Sequence, residues 1–250
     1  MSASSGSGTG TATGTGAADA RDRARRVLKE SSAFAACSPA VIDEIMQHAV
    51  VVKLPRGDAL YRQGEQGDSM MVLLTGSLKV TSITAEGREL VLGFLKPGSL
   101  IGEIAALDGR ERTANVVAME AVEAVAIYRR NLLPILRANA DAMFALLAGL
   151  CGRLRATNAL LESQTLEAGA RVADGLLRLA NEHGQKSAKG TLIDLKLTQR
   201  DLGGHLGLTR ETVSRTLGDF REAGLIEIVG TAILILDGDG LRGVAEGSGD

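Results

Sequence analysis

Between residues 50 and 128 the chain consists of short β-prone runs, for example at 70–74 and 78–81, with turn residues between them. The glycines between the runs are Gly57, Gly64, Gly67, Gly76, Gly87 and Gly98. Glycine adopts the positive φ of a tight turn without strain, whereas a β-branched residue would be strained there. Strands this short with turns this frequent predict an antiparallel roll, barrel or sandwich.

A helical periodicity replaces this pattern from about residue 138 to 166. One heptad position holds Ala140, Leu147, Leu154, Leu161 and Ala168, and its partner position holds Met143, Leu150, Thr157 and Gln164. An apolar seam of about four heptads is typical of a long helix that pairs with another helix. We therefore expect this helix to pair with a second copy of the chain.

The last third of the chain alternates helices and short strands. Residues 171–181 predict an amphipathic helix, 190–197 a β segment, and 198–206 and 209–223 two short helices. Residues 225–236 predict a β-hairpin that turns near Gly230. Together they predict a small α+β domain that ends in a wing.

The two short helices have the features of a helix-turn-helix. Thr198 and Thr209 are suited to N-cap positions, and Gly207 tolerates the left-handed conformation of the turn. Val213 and Leu217 form a buried i, i+4 stripe. The first two turns of the second helix then present Arg210, Glu211 and either Ser214 or Arg215 on the opposite side. Arg pairs with guanine and Glu accepts from cytosine, although ordinary helix packing also explains this pattern.

Residues 98–115 place a glycine-rich turn, Glu103, Arg112 and Thr113 in one short segment. A cyclic phosphate needs a guanidinium, backbone N–H groups and a hydroxyl donor, and a carboxylate accepts from a ribose hydroxyl. A surface turn carrying a solvated Glu–Arg pair is the alternative interpretation.

The order of the two motifs resembles a known family. Gly-Glu-Ile-Ala at 102–105 followed by Arg-Thr-Ala at 112–114 is similar to the phosphate-binding cassette of cyclic-nucleotide-binding domains. The run 210–215 resembles the recognition helix of the cyclic AMP receptor protein and fumarate–nitrate regulator family. The resemblance extends over nearly all of the chain past residue 25. It implies an α+β protein with a jelly-roll-like β-roll, a long dimerisation helix and a winged helix-turn-helix.

The resemblance also implies residue roles. The implied ligand-binding residues are Gly102, Glu103, Ile104, Ala105, Arg112, Thr113, Ala114, Thr157 and Asn158. The implied DNA-binding residues are Thr198, Gln199, Arg200, Arg210, Glu211, Thr212, Ser214 and Arg215. Thr113 and Asn158 both replace a family serine, so the choice between cyclic AMP and cyclic GMP stays open.

We therefore predict a disordered tail at 1–20, a β-roll at 21–137, a dimerisation helix at 138–167 and a DNA-binding domain at 168–250. The resemblance implies a homodimer that binds a palindromic TGTGA-like site when cyclic nucleotide is bound, with RNA polymerase as a further partner. DNA binding without nucleotide, or with another effector, is the main alternative. A signalling module without DNA binding is disfavoured by the helix-turn-helix.

Composition excludes several other classes. Lys and Arg total 28 against 30 Asp and Glu, a net charge of −2, so any DNA contact depends on a local basic surface. The cysteines, Cys37 and Cys151, form no CxxC pair, and His48, His183 and His205 form no ligand pair, so we expect no bound metal. No catalytic constellation or run of about 18 apolar residues is present. We expect a non-enzymatic, cytoplasmic protein without a membrane partner.

Overall fold

A computed structural model describes residues 14–31, 34–35, 37–85 and 87–247 of the protein. The helices in this part of the chain are α1 (Gly14–Glu30), α2 (Pro39–His48), α3 (Glu103–Asp108), α4 (Arg129–Ala138), α5 (Ala140–Ser163), α6 (Ala168–His183), α7 (Gln199–Leu206), α8 (Arg210–Glu222) and α9 (Gly238–Ala245). The strands are β1 (Val50–Leu54), β2 (Ala59–Tyr61), β3 (Ser69–Thr75), β4 (Leu78–Ile83), β5 (Glu89–Leu95), β6 (Leu100–Ile101), β7 (Asn115–Ala118), β8 (Val122–Tyr128), β9 (Gln185–Ser187), β10 (Gly190–Ile193), β11 (Ile226–Val229) and β12 (Ala232–Ile235).

The strands β1 to β8 form two antiparallel four-stranded sheets, ordered β1-β8-β3-β6 and β2-β7-β4-β5. Leu73, Leu78 and Ile101 fill the space between the sheets. The outer face of the first sheet is covered by α1, α2, α4 and α5. Because β3 is covered on both faces, it is apolar along nearly its whole length rather than alternating. The predicted antiparallel roll is confirmed.

The first described helix begins earlier than the sequence indicates. Residues 1–13 of the predicted tail lie outside the described residues, but 14–20 are helical, which corrects the disordered assignment there. Alanines at 17, 18 and 20 are strong helix formers, and the helix is anchored by Ala24 and Leu28, which are buried in the roll core. Arg23 of the same helix pairs with Glu123 of β8, which adds a polar contact to this anchoring.

The long helix α5 presents an exposed apolar stripe, but this stripe differs from the predicted seam. Leu147, Leu154 and Leu161 are exposed as expected. The residues that share their face are Phe144, Cys151 and Asn158, all exposed. Of the predicted partner residues, Met143 packs on the roll core, whereas Leu150 and Thr157 line a cavity beside the roll. Because Met143 and Leu150 face the roll, the outward seam is rotated by one residue at this heptad position.

The strands β9 to β12 form a second antiparallel unit, ordered β11-β12-β10-β9, against α6, α7 and α8. The wing turns at Gly230, which has φ +62°, as the sequence predicts. Leu202, Leu206 and Val213 form the core between the two short helices. The winged helix-turn-helix is therefore confirmed as the fold of this region.

Within the described part of the chain, no helix alone has the length and apolar character needed to cross a membrane. Together α4 and α5 meet that criterion, but they are bent by 112° at the break between them. Both contribute buried residues to the roll core, including Leu132, Ile135 and Leu146.

Candidate functional site

The turn between β6 and α3 depends on Gly102, which has a left-handed φ of +76°. A Cβ at this position would lie 2.4 Å from Nη1 of Arg112 and 2.7 Å from Cε2 of Tyr61. Glycine is therefore required for two reasons: the backbone conformation and the close approach of two side chains. This turn brings the start of α3 beside the segment 112–114.

Arg112 is buried in the roll and held by three contacts. Its Nη1 donates to the Gly102 carbonyl oxygen at 2.9 Å, and its Nη2 donates to Ser69 Oγ at 3.1 Å. The Tyr61 ring lies beneath the guanidinium, 3.5 Å from its centroid to Cζ. A guanidinium has five N–H donors, so these two hydrogen bonds leave donors for an anionic ligand.

Glu103 is also buried, with 2% of its surface exposed. Its Oε1 lies 2.7 Å from Nη1 of Arg153 on α5, which also donates through Nη2 to the Leu100 carbonyl oxygen at 2.6 Å. Neither carboxylate oxygen has a well-aligned hydrogen-bond donor among the described residues. The carboxylate is therefore paired by charge but still able to accept hydrogen bonds from a ligand.

Of the cavities that border these residues, two share six lining residues. The smaller one, about 60 Å³, is lined by residues including Gly102, Glu103 and Arg112. The larger one, about 580 Å³, lies between the roll, α5 and the winged domain. Residues that line both are Val80, Leu95, Ile104, Thr113, Ala114 and Arg153. Small-molecule sites have volumes of about 300–1,000 Å³, so the small cavity suits one polar group and the large one the rest of a ligand.

The structure brings most of the predicted ligand residues to these cavities. Gly102, Glu103, Arg112, Thr113 and Ala114 line the small cavity. Ile104 and Ala105 line the small cavity as well; Ala105 is buried and Ile104 is exposed. Thr157 and Asn158 are both exposed on α5, but Thr157 lines the large cavity and Asn158 lies on the outward stripe. The two neighbouring helix residues therefore face different surfaces.

The predicted caps of the helix-turn-helix are present. Oγ1 of Thr198 accepts from the Asp201 backbone N–H at 3.0 Å, and the Asp201 carboxylate accepts from the Thr198 N–H at 3.2 Å. Thr209 Oγ1 accepts from the Thr212 N–H at 3.2 Å. The turn between the helices is made by Gly207, with φ +65°. These local bonds satisfy backbone N–H groups in the first turns of α7 and α8.

The outer face of α8 carries the predicted base-reading residues. Arg210, Glu211, Ser214 and Arg215 are all exposed, whereas Val213 and Leu217 are buried beneath them. Of the predicted backbone contacts, Thr198 and Arg200 are exposed, and Gln199 and Thr212 are partly buried. The residues thus form one surface at the start of α7 and α8.

The comparisons with known proteins agree with this geometry. The cyclic nucleotide-binding domain family matches residues 51–139, and the Crp-like helix-turn-helix domain family matches residues 170–244. The CRP-like cAMP-activated global transcriptional regulator of Mycobacterium tuberculosis is 30% identical over 216 residues, which cover 86% of this chain and 96% of that protein. The chain belongs to the CRP/FNR family of transcription regulators.

Other relatives of this CRP-family protein are also similar over most of the chain. The cAMP-activated global transcriptional regulator CRP of Escherichia coli is 29% identical over 196 residues, covering 78% of this chain and 93% of that protein. The structure of FixK2 from Bradyrhizobium japonicum has a TM-score of 0.71 at 23% identity, covering 78% of this chain and 96% of that one. The FixK2 likeness concerns the fold.

The CRP-family regulator also has a direct contact between its roll and its winged domain. Nζ of Lys79 on β4 lies 2.7 Å from Oδ1 of Asp201 on α7. Burial works against the charge of Lys79, but the hydrogen bond and charge of Asp201, helped by Glu89, raise the Lys79 pKa. Burial likewise opposes the Asp201 charge, but bonds from Lys79 and Thr198 lower the pKa of that carboxyl.

A second interdomain contact centres on His205 of α7. Its Nδ1 lies 3.1 Å from the Val91 carbonyl oxygen, so this nitrogen donates. Its ring meets Phe94 edge to face, with centroids 5.4 Å apart. Val91 and Phe94 of β5 belong to the apolar core of the winged domain. Sequence reasoning missed these residues because nothing local distinguishes them from ordinary roll residues.

Arg153 was also missed by sequence reasoning. It lies four residues before Thr157, so the two side chains share one face of α5 and both line the large cavity. That spacing is a weak signal, since many helix residues lie i, i+4 to a polar neighbour. Only the pairing with Glu103 marks Arg153 as part of the site.

Proposed function

We propose that this CRP-family chain acts as a homodimer whose affinity for DNA is controlled by a cyclic purine mononucleotide, cyclic AMP or cyclic GMP. The observation that carries the proposal is that two buried charged groups, Arg112 and Glu103, line the same small cavity. Arg112 keeps free donors and Glu103 keeps free acceptors, and burial makes such groups costly to leave unused. A cyclic nucleotide supplies both an anion and a hydroxyl.

The ligand residues divide by the chemistry of a nucleotide. In this proposal Arg112 and Thr113 bind the cyclic phosphate, and Glu103 accepts from the ribose 2′-hydroxyl. The walls near the sugar are formed by Ile104, Ala105 and Ala114. Gly102 has no side chain and so leaves space for the Arg112 guanidinium. The purine extends into the large cavity toward Thr157.

The dimer is proposed from the exposed stripe of α5. Phe144 is 71% exposed and Leu154 is 63% exposed, which is unusual for side chains of this size. The spacing of Phe144, Leu147, Cys151, Leu154, Asn158 and Leu161 alternates three and four residues, as in a coiled-coil seam. In this dimer each nucleotide would be approached from two chains. Thr157 would come from the subunit that binds the nucleotide, and Asn158 would come from the other copy across the seam.

The DNA surface is proposed on the exposed face of α8. Arg210, Glu211 and Arg215 would read base edges in a TGTGA-like half-site, with Ser214 beside them. Thr198, Gln199, Arg200 and Thr212 would contact the DNA backbone and set the docking angle. In a two-fold dimer the two recognition helices must lie about 34 Å apart to enter successive major grooves of a palindrome.

We propose that the nucleotide cavity and the DNA surface are linked through the contact between β5 and the helix-turn-helix. In the structure described here, Arg88 and Glu89 at the start of β5 line a cleft of about 580 Å³ together with Arg210 and Glu211. A duplex bound to Arg210 would compete for the same space with the turn between β4 and β5, which carries Arg88. We propose that nucleotide favours an arrangement in which the winged domain leaves β5.

Titration calorimetry with cyclic AMP and cyclic GMP is the decisive first experiment. We expect binding by the wild-type protein and loss of measurable binding in Arg112→Ala. Arg110→Ala is the matched control, because Arg110 is exposed two residues away and lies outside the lining of the small cavity. Absence of binding of either nucleotide by the wild type would leave a nucleotide-independent DNA-binding protein, or one with another effector.

A gel-shift experiment tests the DNA half of the proposal separately. We expect a palindromic TGTGA-type duplex to be bound more tightly than scrambled DNA at matched salt. Arg210→Ala should reduce this preference by roughly fivefold to a hundredfold, the range of one bidentate base contact of about 1–3 kcal/mol. Arg221→Ala, at the other end of α8, should retain it. Equal preference in both variants would contradict the proposed reading face.

RNA polymerase is proposed as a further partner only because the chain is a CRP-family regulator. A protein that binds DNA in this way would act in the cytoplasm. The relatives named above are transcription regulators, and we propose no enzymatic activity.

A further inference from the structure

Tyr61 owes its position to an irregularity in β2. The partner of Ala59 on β7 is Val117, but the partner of Tyr61 is Val116, so β2 contains one extra residue. Without this bulge Tyr61 would pair with Asn115 and share the face of Val117. Directly opposed residues of an antiparallel pair point to the same side, and Val116 is buried in the roll. The bulge therefore turns Tyr61 inward.

The inward Tyr61 ring lies where it can fix the guanidinium of Arg112. The distance from Arg112 Cζ to the ring centroid is 3.5 Å, within the range of a cation–π contact. Tyr61 and Ser69 are nearly fully buried, and the Tyr61 hydroxyl lies 3.5 Å from Ser69 Oγ. Neither Tyr61 nor Ser69 is predicted to touch ligand from the sequence.

The arrangement restricts Arg112 from several sides. Ser69 Oγ and the Gly102 carbonyl oxygen accept from different ends of the guanidinium, at 3.1 Å and 2.9 Å. A Cβ at Gly67 would lie 3.2 Å from Nε, so the neighbouring loop also closes around the side chain. A long side chain held in this way loses little conformational entropy when an anion binds.

We propose that Tyr61 and Ser69 are positioning residues that hold the Arg112 guanidinium ready for the phosphate of the cyclic nucleotide. This inference rests on the proposed function, since Arg112 must bind the phosphate for its positioning to matter. Tyr61 acts through the face of its ring, and its hydroxyl contributes little. Ser69 acts by accepting one N–H, which directs the remaining donors toward the small cavity.

The test is titration calorimetry with cyclic AMP and with adenosine, which lacks the phosphate. Tyr61→Leu should weaken cyclic AMP binding by roughly threefold to thirtyfold, the range of a desolvated cation–π contact. Tyr61→Phe should stay near the wild-type affinity because the ring remains. Ser69→Ala should weaken binding by roughly threefold to tenfold. Adenosine affinity should be unchanged in all three variants.

Tyr128→Leu is the matched control, because Tyr128 is the other tyrosine of the chain and lies near Arg130 rather than Arg112. In an Arg112→Lys background, Tyr61→Leu should have a clearly smaller effect than in the wild type. Equal losses of cyclic AMP and adenosine in Tyr61→Leu, or no loss, would overturn the positioning role while the proposed function stands. Failure of the wild type to bind either cyclic nucleotide would overturn both.

Discussion

Nζ of Lys79 on β4 lies 2.7 Å from Oδ1 of Asp201 on α7, and this ion pair joins the roll to the helix-turn-helix. The two side chains are mostly buried, with 17% and 15% of their surface exposed. Asp201 also closes the capping box of α7, so one carboxylate orders the DNA-binding motif and docks it. Removal of Lys79 breaks the docking bond and leaves the cap in place.

We expect Lys79→Met to raise the affinity of the nucleotide-free protein for DNA. Loss of the ion pair favours the undocked winged domain, and allosteric couplings of about 1–3 kcal/mol correspond to roughly fivefold or more in affinity. The measurement is a gel shift on a TGTGA-type duplex without nucleotide.

Lys53→Met is the matched control for this variant. Lys53 pairs with Glu123 at 2.6 Å within the roll. Its substitution therefore removes one positive charge, as Lys79→Met does, without changing a contact to the winged domain. Loss of a positive charge alone weakens attraction to DNA. Similar affinities of the two variants would therefore contradict a docking role for Lys79.

The stability of the protein should depend on pH through His205. Burial lowers the His205 pKa; the Val91 carbonyl and Glu182 oppose this shift, and Arg178 and His183 add to it. In the unfolded chain this side chain titrates near about pH 6.5. As pH falls through that value the unfolded state binds the proton first, so the free energy of unfolding decreases.

Thermal unfolding from about pH 7.5 to about pH 5.5 should therefore show a larger fall in Tm for the wild type than for His205→Gln. A difference of 1 kcal/mol corresponds to about 2–4 °C for a chain of this size. His48 and His183 are present in both proteins and serve as the internal control. Equal pH slopes would contradict a buried neutral His205.

The proposed dimer seam should permit a disulfide between the two copies of Cys151. In a parallel, in-register seam, equivalent residues come within the Cα separation of about 4.4–6.8 Å that a disulfide needs. Mild oxidation should give a covalent dimer on a non-reducing gel, and Cys151→Ser should abolish it.

Cys37→Ser should still cross-link, because it retains Cys151. Burial raises the pKa of the Cys37 thiol and suppresses its reactive thiolate, so Cys37 should not form the disulfide itself. A dimer in solution without any Cys151 cross-link would contradict the parallel arrangement that the nucleotide proposal requires.

Gly102→Ala should weaken nucleotide binding in addition to lowering stability through its left-handed φ. The new Cβ would lie 2.4 Å from Nη1 of Arg112 and 2.7 Å from Cε2 of Tyr61, so it would displace the guanidinium from the position in which it is held. We expect at least a tenfold loss of cyclic AMP affinity, equivalent to about 1.4 kcal/mol. Gly57→Ala has a similar φ of +90° but open space around its Cβ, so it should lose stability and keep affinity. Equal affinities of the two variants would contradict the crowding at Gly102.

Much of the fold follows from local sequence patterns. The glycine-separated strands, the caps at Thr198 and Thr209 and the left-handed turn at Gly207 are all found where predicted. Each depends on residues only a few positions apart, whose backbone preferences act before any distant contact forms. The predicted end of the disordered tail at residue 20 is too late, because the local helix preference of the alanines continues α1 back to Gly14.

The site depends on more distant contacts. The sequence predicts that Gly102, Glu103 and Arg112 belong together, but it does not show that Tyr61 lies beneath Arg112. That contact requires a one-residue bulge between two strands far apart in the chain. Lys79 and Asp201 are separated by 122 positions, so no periodicity connects them.

The sequence by itself determined the order of elements, the two motifs and the turn residues, because these are properties of short segments. Only the tertiary structure decided which face of α5 is outward and which face of β2 carries Tyr61. Both are questions of rotation or register, where a shift of one residue exchanges inside for outside. Packing against the roll settles them, with Thr157 on the side of the large cavity and Asn158 on the outward stripe.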